Sequence, residues 1–274
     1  MNKAILVSLL VVISFSVAAQ DSTSRKKTRE ERKAEKRERI NAIAKQEEEG
    51  ALIYAKQSIF AFQVRSNGYG GFYELAKFKN RRKSNTYSIE FTEIKDAKEE
   101  KSPTSSGFFA FNNPYIFGKI NNFYQLKLGF GQQYLLGQKG NKNGVAVAFI
   151  YQGGFSGGFL RPYYLDVSDT NNTDRQIKFN PENAYDSALF LNIAAIRGSS
   201  GLGTGWGEMG FKPGLYAKAA LRFDYGRYNE VVSGVEIGFS IDVYSSKIPI
   251  LLFADQKQVF MQAHIAILFG RRKT

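Results

Sequence analysis

From Val259 to Phe269 every odd position is apolar (Val259, Met261, Ala263, Ile265, Ile267, Phe269), while the even positions include Gln262 and His264. A period of two is the signature of an extended strand whose two faces meet different surroundings. Seven earlier runs share it. Phe60, Phe62 and Val64 alternate with Ala61, Gln63 and Arg65, and a second run spans Gly70 to Phe78. Tyr87, Ile89 and Phe91 oppose Ser88, Glu90 and Thr92, and Tyr124, Leu126, Leu128 and Phe130 oppose Gln125, Lys127, Gly129 and Gly131. Three further stripes are Val147 to Phe155, Leu215 to Tyr225, and Val235 to Val243. The expected fold class is an all-β, antiparallel transmembrane β-barrel of about eight strands over residues 51–274, with its apolar parity in lipid and its polar parity in the lumen.

The connections support that count because they alternate in length. Residues 79–85, 138–144 and 227–230 are short, whereas 95–122 and 166–212 are long. Barrels in membranes have short periplasmic turns and longer extracellular loops, so both termini fall on the short-turn side. A soluble secreted barrel of lipocalin type would reverse the parity, but Phe, Tyr and Leu on one face of nearly every strand exceed what a small soluble barrel could enclose. The loop 166–212 is too long to be structureless. Asn180 suits an N-cap, Pro181 the first helical position, and Gly198 a C-terminal stop. The segment between them predicts an apolar helix packed over or into the barrel mouth. The alternative is an extra strand pair, which would make ten strands.

Residues 1–19 read as a signal peptide: Lys3, an apolar run from Ala4 to Phe15, then Val17-Ala18-Ala19 before Gln20. The apolar core is shorter than the roughly 20 residues a spanning helix needs. With no Cys in the chain, disulfides, thiolate metal sites and Cys nucleophiles are excluded. Aromatic residues make up 14% and hydrophobic residues 43%, yet mean hydropathy is −0.31, as expected when apolar and polar faces alternate. Residues 20–50 form a separate charged segment, with Glu35 and Arg39 at helical i,i+4 spacing. It predicts a periplasmic helix or solvated linker, with docking on an envelope partner as the alternative.

The formal net charge of +13 is concentrated at the short turns. Lys77, Lys79, Arg81, Arg82 and Lys83 lie at the first, Lys139 and Lys142 at the second, Arg227 at the third, and Arg271, Arg272 and Lys273 at the terminus. Lys79, Arg81, Arg82, Lys83, Lys139, Lys142, Arg271, Arg272 and Lys273 are the candidate partner contacts, the partners being outer-membrane lipid and an envelope protein or cell-wall polymer. Nucleic acid is excluded as a partner by export and by the lack of an aromatic-basic module. Gly205-Trp206-Gly207-Glu208-Met209-Gly210 matches GxGxxG formally, but Pro213 and a strand follow where a dinucleotide site needs a helix. It predicts a bend with Trp206 as an interfacial anchor.

The alternation that ends in Phe269 resembles that of the small outer-membrane β-barrel proteins of Gram-negative bacteria, over Gln57 to Phe269. Gly270-Arg271-Arg272-Lys273-Thr274 extends beyond the terminal aromatic of that pattern. The resemblance implies an outer-membrane location. Lipid-modifying enzymes of similar fold place a Ser two residues after a His, and here Ala266 stands two residues after His264. The single histidine is placed in the lumen by parity, with Ser240 and Ser88 the distant serines that could approach it. No second imidazole is available to hold a metal, and no cofactor is expected. The expected function is non-enzymatic: an envelope anchor, scaffold or assembly accessory. The alternatives are a lipid-modifying enzyme or a narrow-pore transporter.

Overall fold

A computed structural model describes residues 30, 33, 37, 38, 55–80, 82–102, 114–140, 144–169, 173–226 and 230–273. The expected signal segment and nearly all of the charged segment lie outside them, and within the latter Glu30, Lys33, Arg37 and Glu38 are helical and exposed. Residues 1–46 and 47–274 form separate units, and the barrel belongs to the second.

Eight strands close into a barrel. They are β1 (Lys56–Arg65), β2 (Gly68–Asn80), β3 (Lys83–Ile94), β6 (Asn121–Gly137), β7 (Ala146–Pro162), β11 (Gly210–Asp224), β12 (Val231–Ile248) and β13 (Lys257–Lys273). They run around the ring in chain order, and β13 pairs back onto β1. Five short strands lie between them: β4 (Lys101–Ser102), β5 (Tyr115–Ile116), β8 (Tyr164–Ser168), β9 (Asp174–Lys178) and β10 (Ile196–Ser199). The barrel therefore has eight strands, and the additional strands of the long loop stay outside it.

The register shows how far the ring is sheared. Cross-strand partners of Arg65 lead one way through His264 and Gly238 to Ala220. The other way they lead through Gly68, Ile94, Phe123 and Leu160 to Gly210, on the same strand β11 but ten residues from Ala220. Such a stagger obliges the strands to tilt, which brings side chains distant along their strands to one height in the lumen.

Alternation sets the two faces. Phe62, Ile89, Leu128, Phe155, Leu215, Ile237 and Ile267 are exposed on the outer wall, whereas Gln63, Glu90, Lys127, Ser156, Arg222, Glu236 and His264 are buried inside. An outer wall this apolar around a polar interior is stable in lipid and would aggregate in water. Every neighbouring pair in the ring is antiparallel, so the closed sheet leaves no edge to be solvated in hydrocarbon.

The loop between β7 and β11 differs from the expectation in two respects. Its helix, α1 (Ala184–Phe190), starts later and ends sooner than Asn180 and Gly198 would set. Asn183 is the cap, accepting from Tyr185 N at 3.1 Å and Asp186 N at 3.2 Å, while Asn180 Oδ1 is occupied by Glu182 N in the turn before it. Beyond Leu191 the chain leaves the helix because Ile196 to Ser199 pair with β8 in a three-stranded sheet of order β10-β8-β9. Nor does the helix pack into the mouth. Phe190 enters a separate small core with Tyr115, Leu165, Val167, Ile177 and Ile196.

The long-loop mouth is closed instead by residues 248–251. Ile248, Ile250 and Leu251 join Ile94, Phe123, Leu160, Tyr244 and Phe260 in one apolar cluster. The strap is pinned by Ile120 N donating to Ile250 O at 2.8 Å and Leu252 N to Gly118 O at 2.8 Å. Gly118 has φ +70° and lies against the Phe253 ring, so only glycine meets both demands there.

Candidate functional site

The lumen, where chemistry or transport would occur, carries two apolar clusters with a layer of charge between them among the described residues. Ile59, Ala61, Phe72, Val232, Ala266 and Leu268 form an apolar cluster toward the short-turn end, and the cluster around Phe123 closes the other. Between them four cations face four carboxylates. Arg222 grips Glu74 through Nη1 (2.7 Å) and Nη2 (3.1 Å), and Glu236 through Nε (3.0 Å) and Nη2 (2.6 Å). Lys218 reaches Glu236 at 3.1 Å. Arg65 pairs with Glu90 and donates to Gln262 and Ser240, and Lys127 lies 2.7 Å from Asp242 and 3.5 Å from Glu90. With the charges matched and buried, each ion has a partner that offsets its desolvation.

His264 belongs to this network. Its Nε2 lies 3.2 Å from Glu236 Oε1, and the side chain is buried. Neither serine completes a catalytic arrangement: Ser240 Oγ accepts from Arg65, and Ser88 Oγ donates to Gln152 at 3.1 Å. Gln152 in turn donates to Glu74 at 2.9 Å and to Thr86 at 3.0 Å. A recess of about 390 Å³ does exist on the outer wall, lined by Tyr73, Tyr87, Leu128, Phe130 and Gly153, but it is apolar and opens toward lipid.

The short-turn rim divides into two sets of cations. Lys139 and Arg272, expected as exposed partner contacts, are buried at 3% and 8% relative exposure. Both converge on Asp224, Lys139 at 3.5 Å and Arg272 on the other carboxylate oxygen, while Arg272 Nε donates to Gln57 at 2.8 Å. They seal the lumen from inside and are unavailable to a partner. The reason is parity for Arg272, an even, inward position on β13; Lys139 folds inward from its turn and also donates to Gly226 O. Lys79, Arg82, Lys83, Arg271 and Lys273 are exposed, together with Lys56 and Lys77, and Glu230 is an exposed acid at the same end. Arg81, Lys142 and Arg227 lie outside the described residues. Sequence reading missed Lys56, which continues the outward parity of Phe60 and Phe62 and was detectable on that ground.

At the opposite rim Trp206 sits in a 3₁₀ turn, Trp206–Glu208. Its ring stacks 5.9 Å from Tyr124, Arg161 lies 4.9 Å above it, and its Nε1 donates to Leu202 O at 2.6 Å. The turn is tied to the loop sheet through Glu208, which accepts from Lys178 and from Tyr164 Oη at 2.9 Å. These two donors hold its carboxyl below the usual carboxylate range. An exposed ring with one polar atom in such a setting suits a membrane interface.

No family model and no curated protein matches the sequence. Among solved structures the chain is similar to Ail, the attachment invasion locus protein of Yersinia pestis, in complex with the heparin analogue sucrose octasulfate. The identity is 10% over 80% of this chain and 99% of that one, with a TM-score of 0.37. It is similar to Neisserial surface protein A (8%, 79% and 95%, 0.37) and to the N-terminal β-barrel domain of Pseudomonas aeruginosa OprF (11%, 79% and 98%, 0.36). At such values the likenesses carry no argument, and the membrane-barrel reading rests on the strand register, the apolar outer wall and the polar lumen.

Proposed function

We propose that the chain is a non-enzymatic outer-membrane barrel that anchors or scaffolds an envelope assembly, with its basic short-turn rim and charged segment 20–50 as the contact surface in the periplasm. The observation that carries this reading is the occupied lumen. Two apolar clusters and a matched set of buried ion pairs occupy the described lumen around His264, which favours neither a conducting path nor a substrate site there. Function is thereby moved to the rims: among the described residues, the exposed cations of the short-turn rim have Glu230 as their one exposed acid, whereas Lys98, Lys101, Arg197, Lys247 and Lys257 at the other rim are mixed with Glu100, Asp174, Glu182, Glu208 and Asp255. Two measurements test it. In planar bilayers the purified chain is expected to give no stepwise conductance, and regular openings would favour a pore. In native envelopes, crosslinking to an envelope partner is expected to fall when residues 20–50 are deleted, and an unchanged partner set would count against docking through that segment.

A further inference from the structure

Among the described residues, the exposed cations of the short-turn rim lie on β13, β1, β2 and β3 and the turn between β2 and β3. Lys56 on β1 stands directly opposite Lys77 of β2 on one side and Lys273 of β13 on the other. All three lie on the outward parity of their strands: Lys77 follows Leu75 on that face, Lys273 follows Arg271 and Phe269, and Lys56 lies beyond Phe60 and Ser58. Lys83 of β3 extends the row, its Nζ 5.8 Å from the Tyr134 ring, and Lys77 Nζ lies 5.9 Å from the Tyr87 ring. Among the described residues none of these cations forms an ion pair. On the other half of the same edge the exposed large apolar side chains among the described residues are Leu136, Val145, Tyr225 and Val231, beside exposed Gln138 and Glu230.

Like charges placed directly across a sheet repel. A row of three with no described acid within ion-pair distance therefore gains from an anion that lies between them. Its position defines that anion, because the row begins where the lipid-facing apolar stripe ends, at the depth of the headgroup phosphates. The aromatic rings beneath it leave the ammonium groups at the interface.

We infer that the outward face of β13, β1, β2 and β3 at the short-turn rim is a binding site for anionic phospholipid headgroups, held by Lys56, Lys77 and Lys273 with Arg271 and Lys83 flanking. It rests on the membrane reading proposed above and names one partner for one half of the rim. The site gathers anionic lipid against β13, β1, β2 and β3.

The test titrates phosphatidylglycerol and phosphatidylcholine onto the full chain in neutral detergent, with bound lipid counted by native mass spectrometry. The wild type is expected to bind phosphatidylglycerol about a hundredfold more tightly. The triple variant Lys56→Gln, Lys77→Gln, Lys273→Gln should lose most of that preference, at about fivefold for each lysine removed. Lys98→Gln with Lys101→Gln, at the opposite rim, should keep it. The triple variant should also unfold no more easily than the wild type, since it removes repulsion. A preference retained by the triple variant, or lost equally by the opposite-rim control, overturns the site. Loss of an envelope protein crosslink by the triple variant with the lipid preference intact assigns the row to a protein instead. A parallel arm adds the chain to vesicles of phosphatidylcholine with and without phosphatidylglycerol. A chain that enters neither overturns the membrane reading itself, whereas one that enters both with no lipid preference overturns only the headgroup assignment.

Discussion

Arg222 is where the lumen depends most on one side chain. It binds two carboxylates, Glu74 and Glu236, through three of its nitrogens, and no other described cation reaches Glu74 within 4.0 Å. Replacing it by Met would leave Glu74 buried with no described cation within 4.0 Å, and Glu236 with Lys218 and His264 alone. The expected cost is about 3–5 kcal/mol, since breaking a buried pair strands a charge. It would be read as a lower urea midpoint for unfolding in detergent, and an unchanged midpoint would mean that water replaces the guanidinium. Arg222→Lys should recover only part of the loss, because one ammonium cannot make both forked contacts. The inward placement of Arg222, Glu236 and His264 was legible from parity. Which carboxylate meets which cation was not: Glu74 and Arg222 are 148 residues apart, and they meet across a ring sheared by ten residues, a quantity no single strand reveals. Arg272 shows parity outranking charge, since its even position alone marks it as lumenal while its basic neighbours suggest a rim contact.

The eight barrel strands were readable because lipid on one side and a polar lumen on the other impose a strict alternation on each. The loop between β7 and β11 was less so. Its strands have only four or five residues, too short for a period to show, and its helix is cut to seven residues by the pairing of β10 with β8. Phe190 is the side chain that joins these pieces, buried completely and 5.7 Å from Phe179. Since its cluster shares no residue with either cluster of the lumen, Phe190→Ala should loosen the loop and spare the barrel. A buried Phe-to-Ala change removes about 3–5 kcal/mol of packing, more than a three-stranded sheet with one short helix can lose. Limited proteolysis should then cut within residues 169–200 while the folded barrel band persists. Simultaneous loss of both would show that the loop core is continuous with the barrel.

At the scale of the whole molecule, eight antiparallel strands put both ends of the barrel chain at one rim and give the two rims different characters. The long-loop end carries a small folded module, a capped mouth and Trp206; the short-turn end carries exposed lysines and arginines above a sealed Asp224. Short turns face the periplasm in such barrels, so this asymmetry fixes an orientation that can be measured directly. The chain contains no Cys, so a single introduced thiol is an unambiguous label. Leu202 lies at the long-loop end with 76% relative exposure, and Glu230 is exposed at the short-turn end, so neither substitution disturbs a core. A membrane-impermeant maleimide applied to intact cells should label Leu202→Cys and leave Glu230→Cys unreacted until the outer membrane is opened. Labelling of Glu230→Cys alone on intact cells would invert the barrel and put the lysine row in the outer leaflet. Labelling of both would mean that the short-turn rim reaches the cell surface. The first pattern is the one expected if the two long connections, 95–120 and 163–209 with its folded core, face outward as the longer loops of such barrels do.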